Sequence, residues 1–177
     1  MSQAQHLAAN TATASYRIPA ITTDNGWTWT HRTITEDITK DNPWTARFAA
    51  SGQGIQIQHG PHAERLVQQY TIRTADGAVQ AVSVYSDDHG KTWRAGTPTG
   101  TGMDENKVVE LSDGSLMLNS RASDGSGFRK VAQSTDGGQI WSEPVPDKNC
   151  PTRWTTPRSS GPSRTPPQTP RAPRCCC

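Results

Sequence analysis

Long apolar runs are missing from this sequence of 177 residues, and only 32% of its residues are hydrophobic. No window approaches the ~18 apolar residues of a membrane-spanning helix, so no membrane span is predicted. Residues Met1 to Ser15 carry neither a basic start nor an apolar run, so no signal peptide is visible. No segment shows a convincing helical spacing of apolar residues. Because Gly, Pro, Ser and Thr are abundant, these absences favour short strands and turns over helices.

Acidic residues are missing from the last 28 residues, which hold five arginines, seven prolines and all four cysteines, three of them at the very end. Residues 1–149, by contrast, hold thirteen basic and sixteen acidic side chains. Since Pro-rich, low-complexity segments are usually disordered, we predict a disordered tail over 148–177, a disordered N-terminus over 1–14 and one folded unit over 15–147. The tail also fits a ligand of a proline-reading domain, a lipidation site or part of a metal site. No second Cys/His cluster at ligand spacing supports a metal site, so none is predicted.

Asp-Gly turns lie between β-rich segments of the chain. An Asp-Gly pair favours a hairpin, because its glycine is free to adopt a positive φ. The predicted strands are Arg65–Arg73, Val79–Tyr85, Lys107–Leu111, Leu116–Asn119 and Phe128–Gln133. Together they predict a series of antiparallel strands.

A turn motif recurs three times along the chain. Segments that begin at Thr22, Ser86 and Ser134 share the pattern Ser/Thr-x-Asp-x-Gly-x-x-Trp, with starts 64 and 48 residues apart. The Asp can accept backbone N–H groups of its own turn, the Gly permits a left-handed residue, and the Trp anchors the outgoing strand by burying a large ring. Repetition at this spacing predicts the blades of a β-propeller. We therefore assign the aspartates of the motif to folding and not to catalysis; they are Asp24, Asp88 and Asp136.

Three further segments accompany these turns: Tyr16–Pro19 (YRIP), Arg47–Gly52 (RFAASG) and the block from Met103 to Arg121. With the three turns, which match the Asp box, they resemble the bacterial exo-α-sialidases (neuraminidases) of actinobacterial type, a family of six-bladed Asp-box, or BNR, propellers. The resemblance covers about Ser15 to Pro146. It implies an all-β fold, a partial β-propeller of about three blades at ~45 residues each, followed by the disordered Pro/Arg-rich tail.

The resemblance also implies roles for four residues. Arg17 and Arg121 match two of the three arginines that bind the carboxylate of sialic acid in this family. Glu105 matches the glutamate that activates a tyrosine nucleophile, an exception to the two-carboxylate scheme of most glycosidases. Phe48 would line the pocket for the glycerol or N-acetyl arm of the sugar. The implied partners are sialylated glycans or glycolipids, and no metal or organic cofactor is implied.

A hairpin brings Glu105 near Arg121 even without the resemblance. If Asp113-Gly114 is a two-residue turn, Asn106 faces Arg121 and Glu105 lies one position off, at the open end of the hairpin. The turn and the third Asp box then share one end of the sheet, while Glu105 and Arg121 lie at the other end. The alternative role for these two residues is a surface ion pair, which would contribute little stability.

The sequence departs from the family pattern at two places. In this chain Ile21 is followed directly by the Asp box that begins at Thr22. In relatives, the chain continues at this point to a general-acid Asp and an earlier Asp box. A segment about as long as one blade is therefore expected to be missing here. After Pro146-Asp147, relatives continue with further blades that supply the third arginine and the nucleophilic tyrosine, whereas this chain continues with the Pro/Arg-rich tail. We interpret the tail as an out-of-frame reading of the coding sequence. We therefore expect an incomplete, inactive sialidase that is marginally stable or dependent on association.

Two other functions fit the sequence. A non-catalytic propeller remnant that binds sialic acid or another glycan needs only Arg17 and Arg121. A different Asp-box propeller, such as a glycosidase of plant polysaccharide or an interaction scaffold, would not explain the YRIP segment or the block from Met103 to Arg121. Nucleic-acid binding is not predicted, because the body is mildly acidic and the basic tail lacks interleaved aromatic residues. The sequence indicates neither the oligomeric state nor the cellular location, although members of the family are often secreted.

Overall fold

The computed structural model describes residues 17–21, 24–51 and 53–152, and for residues 17–21 and His31 it describes the backbone alone. The N-terminus predicted to be disordered over 1–14 lies outside the described residues, as does the predicted tail beyond Thr152. The last strand continues to Pro151, past the boundary predicted at residue 147.

Nearly all the regular secondary structure of the described chain is β-strand, as predicted. In chain order they are β1 (Arg17–Ile21), β2 (Thr30–Thr33), β3 (Ala46–Ala49), β4 (Ile55–Gln56), β5 (Leu66–Arg73), β6 (Val79–Ser86), β7 (Arg94–Ala95), β8 (Met103–Glu110), β9 (Leu116–Ala122), β10 (Phe128–Ser134) and β11 (Val145–Pro151). A short helix, α1 (Thr35–Thr39), was not predicted, because five residues are too few to show a helical period. A 3₁₀ turn spans Gly60–His62. Among the described residues, no helix is long and apolar enough to cross a membrane.

The strands form three antiparallel sheets in succession. β8, β9, β10 and β11 follow one another across a four-stranded sheet, the last blade. β5, β6 and β7 do the same in the middle blade, in which β3 and β4 both pair with the free edge of β5. β1 and β2 form the two-stranded first blade. Successive antiparallel sheets are the units of a propeller, and the last one here has the four strands of a complete blade, so the structure confirms an all-β, partial propeller.

One apolar core joins the middle and last blades, and a second packs the segment around helix α1 against the middle blade. The core between the middle and last blades includes Ile57, Val67, Ala81, Tyr85, Met103, Val108, Leu116, Leu118, Ala132 and Trp141. On the other face of the middle blade, the strands contribute Tyr70, Ile72, Val82 and Val84, and the segment around helix α1 contributes Ile34 and Ile38. Each fully buried aliphatic side chain contributes about 1.5–3 kcal/mol by leaving water. Packing between sheets therefore stabilises the blades more than any single turn does.

The face of the last blade that points away from the middle blade carries an apolar row, which we call the outer face. Val109 pairs with Met117, and Val131 pairs with Val145. Met117 also pairs with Gln133, so all four apolar side chains lie on one face of the sheet. Val109 and Val145 are 44% and 59% exposed.

The Asp boxes form closed turns between neighbouring strands. In the first box, between β1 and β2, Thr28 donates its backbone N–H to Asp24 Oδ1 at 2.9 Å and its hydroxyl to Oδ2 at 2.6 Å. In the second, between β6 and β7, Thr92 makes the same two bonds to Asp88, at 2.8 and 2.6 Å. These bonds from Thr92 hold the pKa of Asp88 well below its usual range. Asp136 accepts the backbone N–H of Ile140 at 3.0 Å in the third box. The geometry supports assigning these aspartates to folding.

The tryptophans of the boxes differ in burial. Trp93 and Trp141 are 6% and 7% exposed, so both anchor their strands as predicted. Trp29 of the first box is 52% exposed, although its indole N–H bonds to Gly26 O at 2.9 Å much as Trp93 bonds to Gly90 O at 3.1 Å. The prediction of a buried ring is therefore wrong at Trp29, because the two strands described for the first blade leave about half of its surface uncovered.

Arg65 joins the middle blade to the third Asp box. Its guanidinium binds both carboxylate oxygens of Asp87, at 2.7 and 3.1 Å, and donates to the carbonyls of Asp136 and Gly137, each at 3.2 Å. Its central carbon lies 4.3 Å from the centroid of the Tyr85 ring. Arg65 is only 5% exposed. One buried cation thus contacts both blades, a contact that the sequence did not indicate.

Candidate functional site

The hairpin β8–β9 carries the residues singled out in the sequence, but its register is not the predicted one. Leu111 donates its N–H to Ser115 O at 2.8 Å, which leaves a three-residue loop, and Gly114 in that loop has a φ of 82°. Asn106 therefore pairs with Ser120, and not with Arg121. The two-residue turn was wrong because an Asp-Gly pair also suits a three-residue loop whose last position is left-handed.

A β-bulge then brings two acidic residues opposite Arg121. The register shifts between Met103, which pairs with Ala122, and Asn106, which pairs with Ser120. Asp104 and Glu105 consequently oppose the single residue Arg121, as two residues oppose one in a bulge. Without the bulge, neighbouring side chains would point to opposite faces of the sheet.

Arg121 contacts both carboxylates. Its Nη2 lies 2.5 Å from Asp104 Oδ2, and its Nε lies 3.6 Å from Glu105 Oε2. The Arg121 and Asp104 side chains are 35% and 24% exposed, and that of Glu105 is 56% exposed. The proximity of Glu105 and Arg121 that the sequence predicted is found. Asp104 was missed, although its place beside Glu105 in the same motif was a usable signal.

Phe48 lies at the same end of the molecule, across a cleft between two blades. It sits on β3, pairs with Thr71 of β5 and is 44% exposed. A cleft of about 240 Å³ is lined by Phe48 and Thr71 of the middle blade and by Asp104 and Ser123 beyond it. Asp104 lines this cleft and is also bonded to Arg121, so it connects the cleft of Phe48 to the Glu105–Arg121 pair.

Arg17 lies in the first blade, in strand β1. Its backbone pairs with Thr33 of β2. Only the backbone of Arg17 is described, so its guanidinium is not among the groups that the structure brings to the cleft.

Arg129 is a further cation at this site, and sequence reasoning missed it. It pairs directly with Arg121 across β9 and β10, so the two side chains share the outer face. Its Nε donates to Asn119 Oδ1, and its Nη2 lies 3.5 Å from the carbonyl of Glu105. The register of β10, which the turns do not reveal, was needed to find it.

Lys130 fixes the two loops at this end of the last blade. Its ammonium, with the side chain 11% exposed, donates to Asp124 Oδ2 at 2.5 Å and to Thr101 O at 2.7 Å. One loop precedes Met103 of β8 and the other follows Ala122 of β9, so both lie at the end of the hairpin that carries the bulge. The bond from Lys130, and then those from Ser126, lower the pKa of Asp124 to about 2.

The site and the Asp boxes lie at opposite ends of the last blade. Ser134, where the third box begins, pairs with Leu116, whereas Arg129 pairs with Arg121 at the other end of the same two strands. The predicted separation of folding turns from candidate chemistry is therefore confirmed. Within the described chain, no three His, Cys, Asp or Glu side chains are grouped so as to hold a metal ion.

Comparison with known proteins identifies relatives of the chain. The BNR repeat-like domain family matches residues 2–164. A sialidase of Micromonospora viridifaciens is 65% identical over 132 residues, which cover 75% of this chain and 20% of that protein. An anhydrosialidase of Macrobdella decora is 36% identical over 129 residues, covering 70% and 16% of the two chains. The chain thus spans about a fifth of the length of these curated relatives.

Solved structures give the same fold. The Hadza microbial sialidase Hz136 superimposes with a TM-score of 0.64 at 32% identity, over 73% of this chain and 24% of that one. The intramolecular trans-sialidase of Ruminococcus gnavus, solved with oseltamivir carboxylate, gives a TM-score of 0.62 at 33% identity, over 72% and 25% of the two chains.

Proposed function

The chain belongs to the BNR repeat-like domain family, and we propose that it is part of a sialidase, a glycoside hydrolase that removes terminal α-linked sialic acid from glycoconjugates. The observation that carries the proposal is the bulge that sets Glu105 against Arg121 beside the cleft of Phe48. The relatives at 30% identity or more that are compared above include two sialidases and an intramolecular trans-sialidase, which supports the same activity.

Arg121 is proposed to bind the carboxylate of sialic acid. Its Nη2 is bonded to Asp104 and its Nε faces Glu105, while its Nη1 makes no hydrogen bond to any residue of the described part. That N–H group is therefore available to a ligand carboxylate, for which guanidinium is well suited. Arg17 of β1 is proposed as a second carboxylate ligand, by its match to the YRIP motif.

Glu105 is proposed as the residue that activates a tyrosine nucleophile. Arg121 lies 3.6 Å from its carboxylate and orients it, and the 56% exposure of the Glu105 side chain leaves it accessible to substrate. A neutral tyrosine suits an anionic substrate, because an attacking carboxylate would be repelled by the sugar's own charge. Phe48 is proposed to contact the glycerol or N-acetyl arm across the cleft.

We propose that these 177 residues alone bind the sugar without hydrolysing it. Tyr70 and Tyr85, the tyrosines of the described chain, are 1% and 7% exposed, and both lie in the apolar cores. Asp24, the acid nearest to the YRIP segment, is held by the N–H and hydroxyl of Thr28. Among the described residues, no tyrosine is therefore presented to the cleft, and the aspartate that lines it, Asp104, is bonded to Arg121.

Saturation-transfer NMR with 3′-sialyllactose, and with lactose as the neutral control, tests the binding site. Sialyllactose should give a signal that lactose does not. Arg121→Gln should weaken binding about tenfold or more, since a hydrogen bond between charged groups is lost. Arg94→Gln, at an exposed arginine of β7, is the matched control and should bind like the unchanged chain. Equal binding by Arg121→Gln and the unchanged chain would refute the assignment.

Hydrolysis of a fluorogenic sialic-acid glycoside tests activity in parallel. No turnover is expected from the purified chain. Turnover that Glu105→Ala abolishes would confirm a sialidase and overturn the statement that the nucleophile and acid are lacking. Binding without turnover is also what a non-catalytic remnant would show, so hydrolysis by a longer chain containing these residues separates the two functions.

A further inference from the structure

The bulge of β8 leaves two backbone carbonyls outside the regular β8–β9 pairing. They belong to Asp104 and Glu105, the residues between the paired positions Met103 and Asn106. Both carbonyls accept hydrogen bonds from side chains. Thr71 Oγ1 donates to Asp104 O, and Arg129 Nη2 lies 3.5 Å from Glu105 O. The shape of the bulge thus depends on side chains that lie outside the hairpin itself.

Thr71 is the more buried of these two donors, and its hydroxyl both donates and accepts a hydrogen bond. It is 2% exposed and lies on β5 of the middle blade. Its Oγ1 donates to Asp104 O and accepts from Asn106 Nδ2 at 2.9 Å. Asn106, at 1% exposure, also donates to Tyr70 O at 3.3 Å. Because a buried hydroxyl with a donor and an acceptor partner has one orientation, Thr71 sets the position of the bulge relative to the middle blade.

Thr71 also lies next to Phe48. The two residues pair across β3 and β5, and both line the cleft with Asp104. One side chain therefore relates the strand that carries Phe48 to the strand that carries Glu105.

From this geometry we infer that Thr71 is a positioning residue, whose hydroxyl holds the bulge so that Asp104 and Glu105 both face Arg121. The inference rests on the proposed function for its consequence in sugar binding. If the bulge reverted to regular pairing, one of the two acids would turn to the opposite face, because successive residues of a strand alternate. Glu105 or Asp104 would then lose Arg121, and the carboxylate site would lose its shape.

A matched pair of variants isolates the hydroxyl. Thr71→Val keeps the shape of the side chain but removes its hydrogen bonds, whereas Thr71→Ser keeps the hydroxyl and loses only a methyl group. Thr71→Val should weaken binding of 3′-sialyllactose about tenfold, and Thr71→Ser should stay within about twofold. If Thr71→Val does not fold, Thr71→Ala replaces it in the same comparison with Thr71→Ser.

The ¹⁵N–¹H resonance of Arg121 Nε gives a readout that general destabilisation would not mimic. It should shift in the variant without a hydroxyl and return to its original position in Thr71→Ser, because it reports the contact with Glu105. A folded variant without the hydroxyl that keeps both the resonance and the affinity would overturn the inference. If the unchanged chain binds no sialoside, the proposed function fails, but the resonance comparison still decides whether Thr71 holds the bulge.

Discussion

Replacing Arg65 by methionine tests how strongly one side chain joins the middle and last blades. Methionine keeps a long, flexible side chain over the Tyr85 ring but removes the charge and every hydrogen bond of the guanidinium. The carbonyls of Asp136 and Gly137, which accept from Arg65 at 3.2 Å, would lose these donors in a buried setting. Asp87, whose side chain is 49% exposed, would be rehydrated.

The expected cost follows from these contacts. The pair with Asp87 contributes at most about 1 kcal/mol, because its exposed carboxylate is screened by water. Hydrogen bonds from a charged donor to the two carbonyls contribute about 1–3 kcal/mol together at this length. The contact with the Tyr85 ring adds about 0.5–1 kcal/mol, part of which methionine retains. We therefore expect Arg65→Met to lower the free energy of unfolding by about 3 kcal/mol, or the Tm by about 10 °C.

Urea unfolding, followed by the fluorescence of the buried Trp93 and Trp141, measures this difference. Arg94→Met is the control, because Arg94 lies exposed on β7 and should cost less than about 0.5 kcal/mol. Arg65→Lys should fall between the two, since it keeps the charge but cannot bind both oxygens of Asp87. A loss below about 1 kcal/mol in Arg65→Met would refute the idea that this side chain holds the blades together.

Three other measurements address separate features. Trp141→Phe should lower the free energy of unfolding in urea by about 2 kcal/mol, because it removes the indole hydrogen bond to Ser83 Oγ at 3.0 Å along with buried volume. An equal loss in Trp29→Phe, at an exposed ring, would contradict this. The pKa of Asp124 is lowered from 3.8 to about 2, so the ionised carboxylate stabilises the folded chain fully above pH 3.8 and loses this effect as the pH falls towards 2. In Asp124→Asn, the free energy of unfolding measured in urea should therefore change less between about pH 4 and pH 2. The double variant Val109→Thr/Val145→Thr makes the outer face more polar and should reduce self-association measured by sedimentation velocity. Unchanged sedimentation would show that the outer face does not mediate association.

The sequence predicted five of the eleven described strands, β5, β6, β8, β9 and β10, together with the Asp-box turns, because these depend on local patterns. The Asp boxes contain their own hydrogen-bond partners, and the hairpin β5–β6 has its Asp-Gly pair where a three-residue loop needs it. The predicted strand Val79–Tyr85 differs from β6 by a single residue. What a turn motif cannot specify is the count of residues in the loop, and at Asp113-Gly114 that count changed the register by one.

The contacts between blades could not be predicted from the sequence, because their partners lie far apart along the chain. The bulge that sets Asp104 beside Glu105 is supported by Thr71, 33 residues earlier in the chain. The bonds of Arg65 to the third box join residues 71 and 72 positions apart. No period or motif in the sequence marks such partners, because each is chosen by how two separate sheets pack.

The closed form of the Asp box has a consequence for the order of folding. Each bond that Thr28 makes to Asp24, and Thr92 to Asp88, spans four residues, so the loop that must close is very short. Short loops close within about 10–100 ns, and contacts of low sequence separation form early. We expect the box turns to form while the sheets are still open, and the bonds of Arg65 to form only when the two blades dock. A pulse-labelling hydrogen-exchange experiment should then protect the Thr92 amide earlier than the amides of β8.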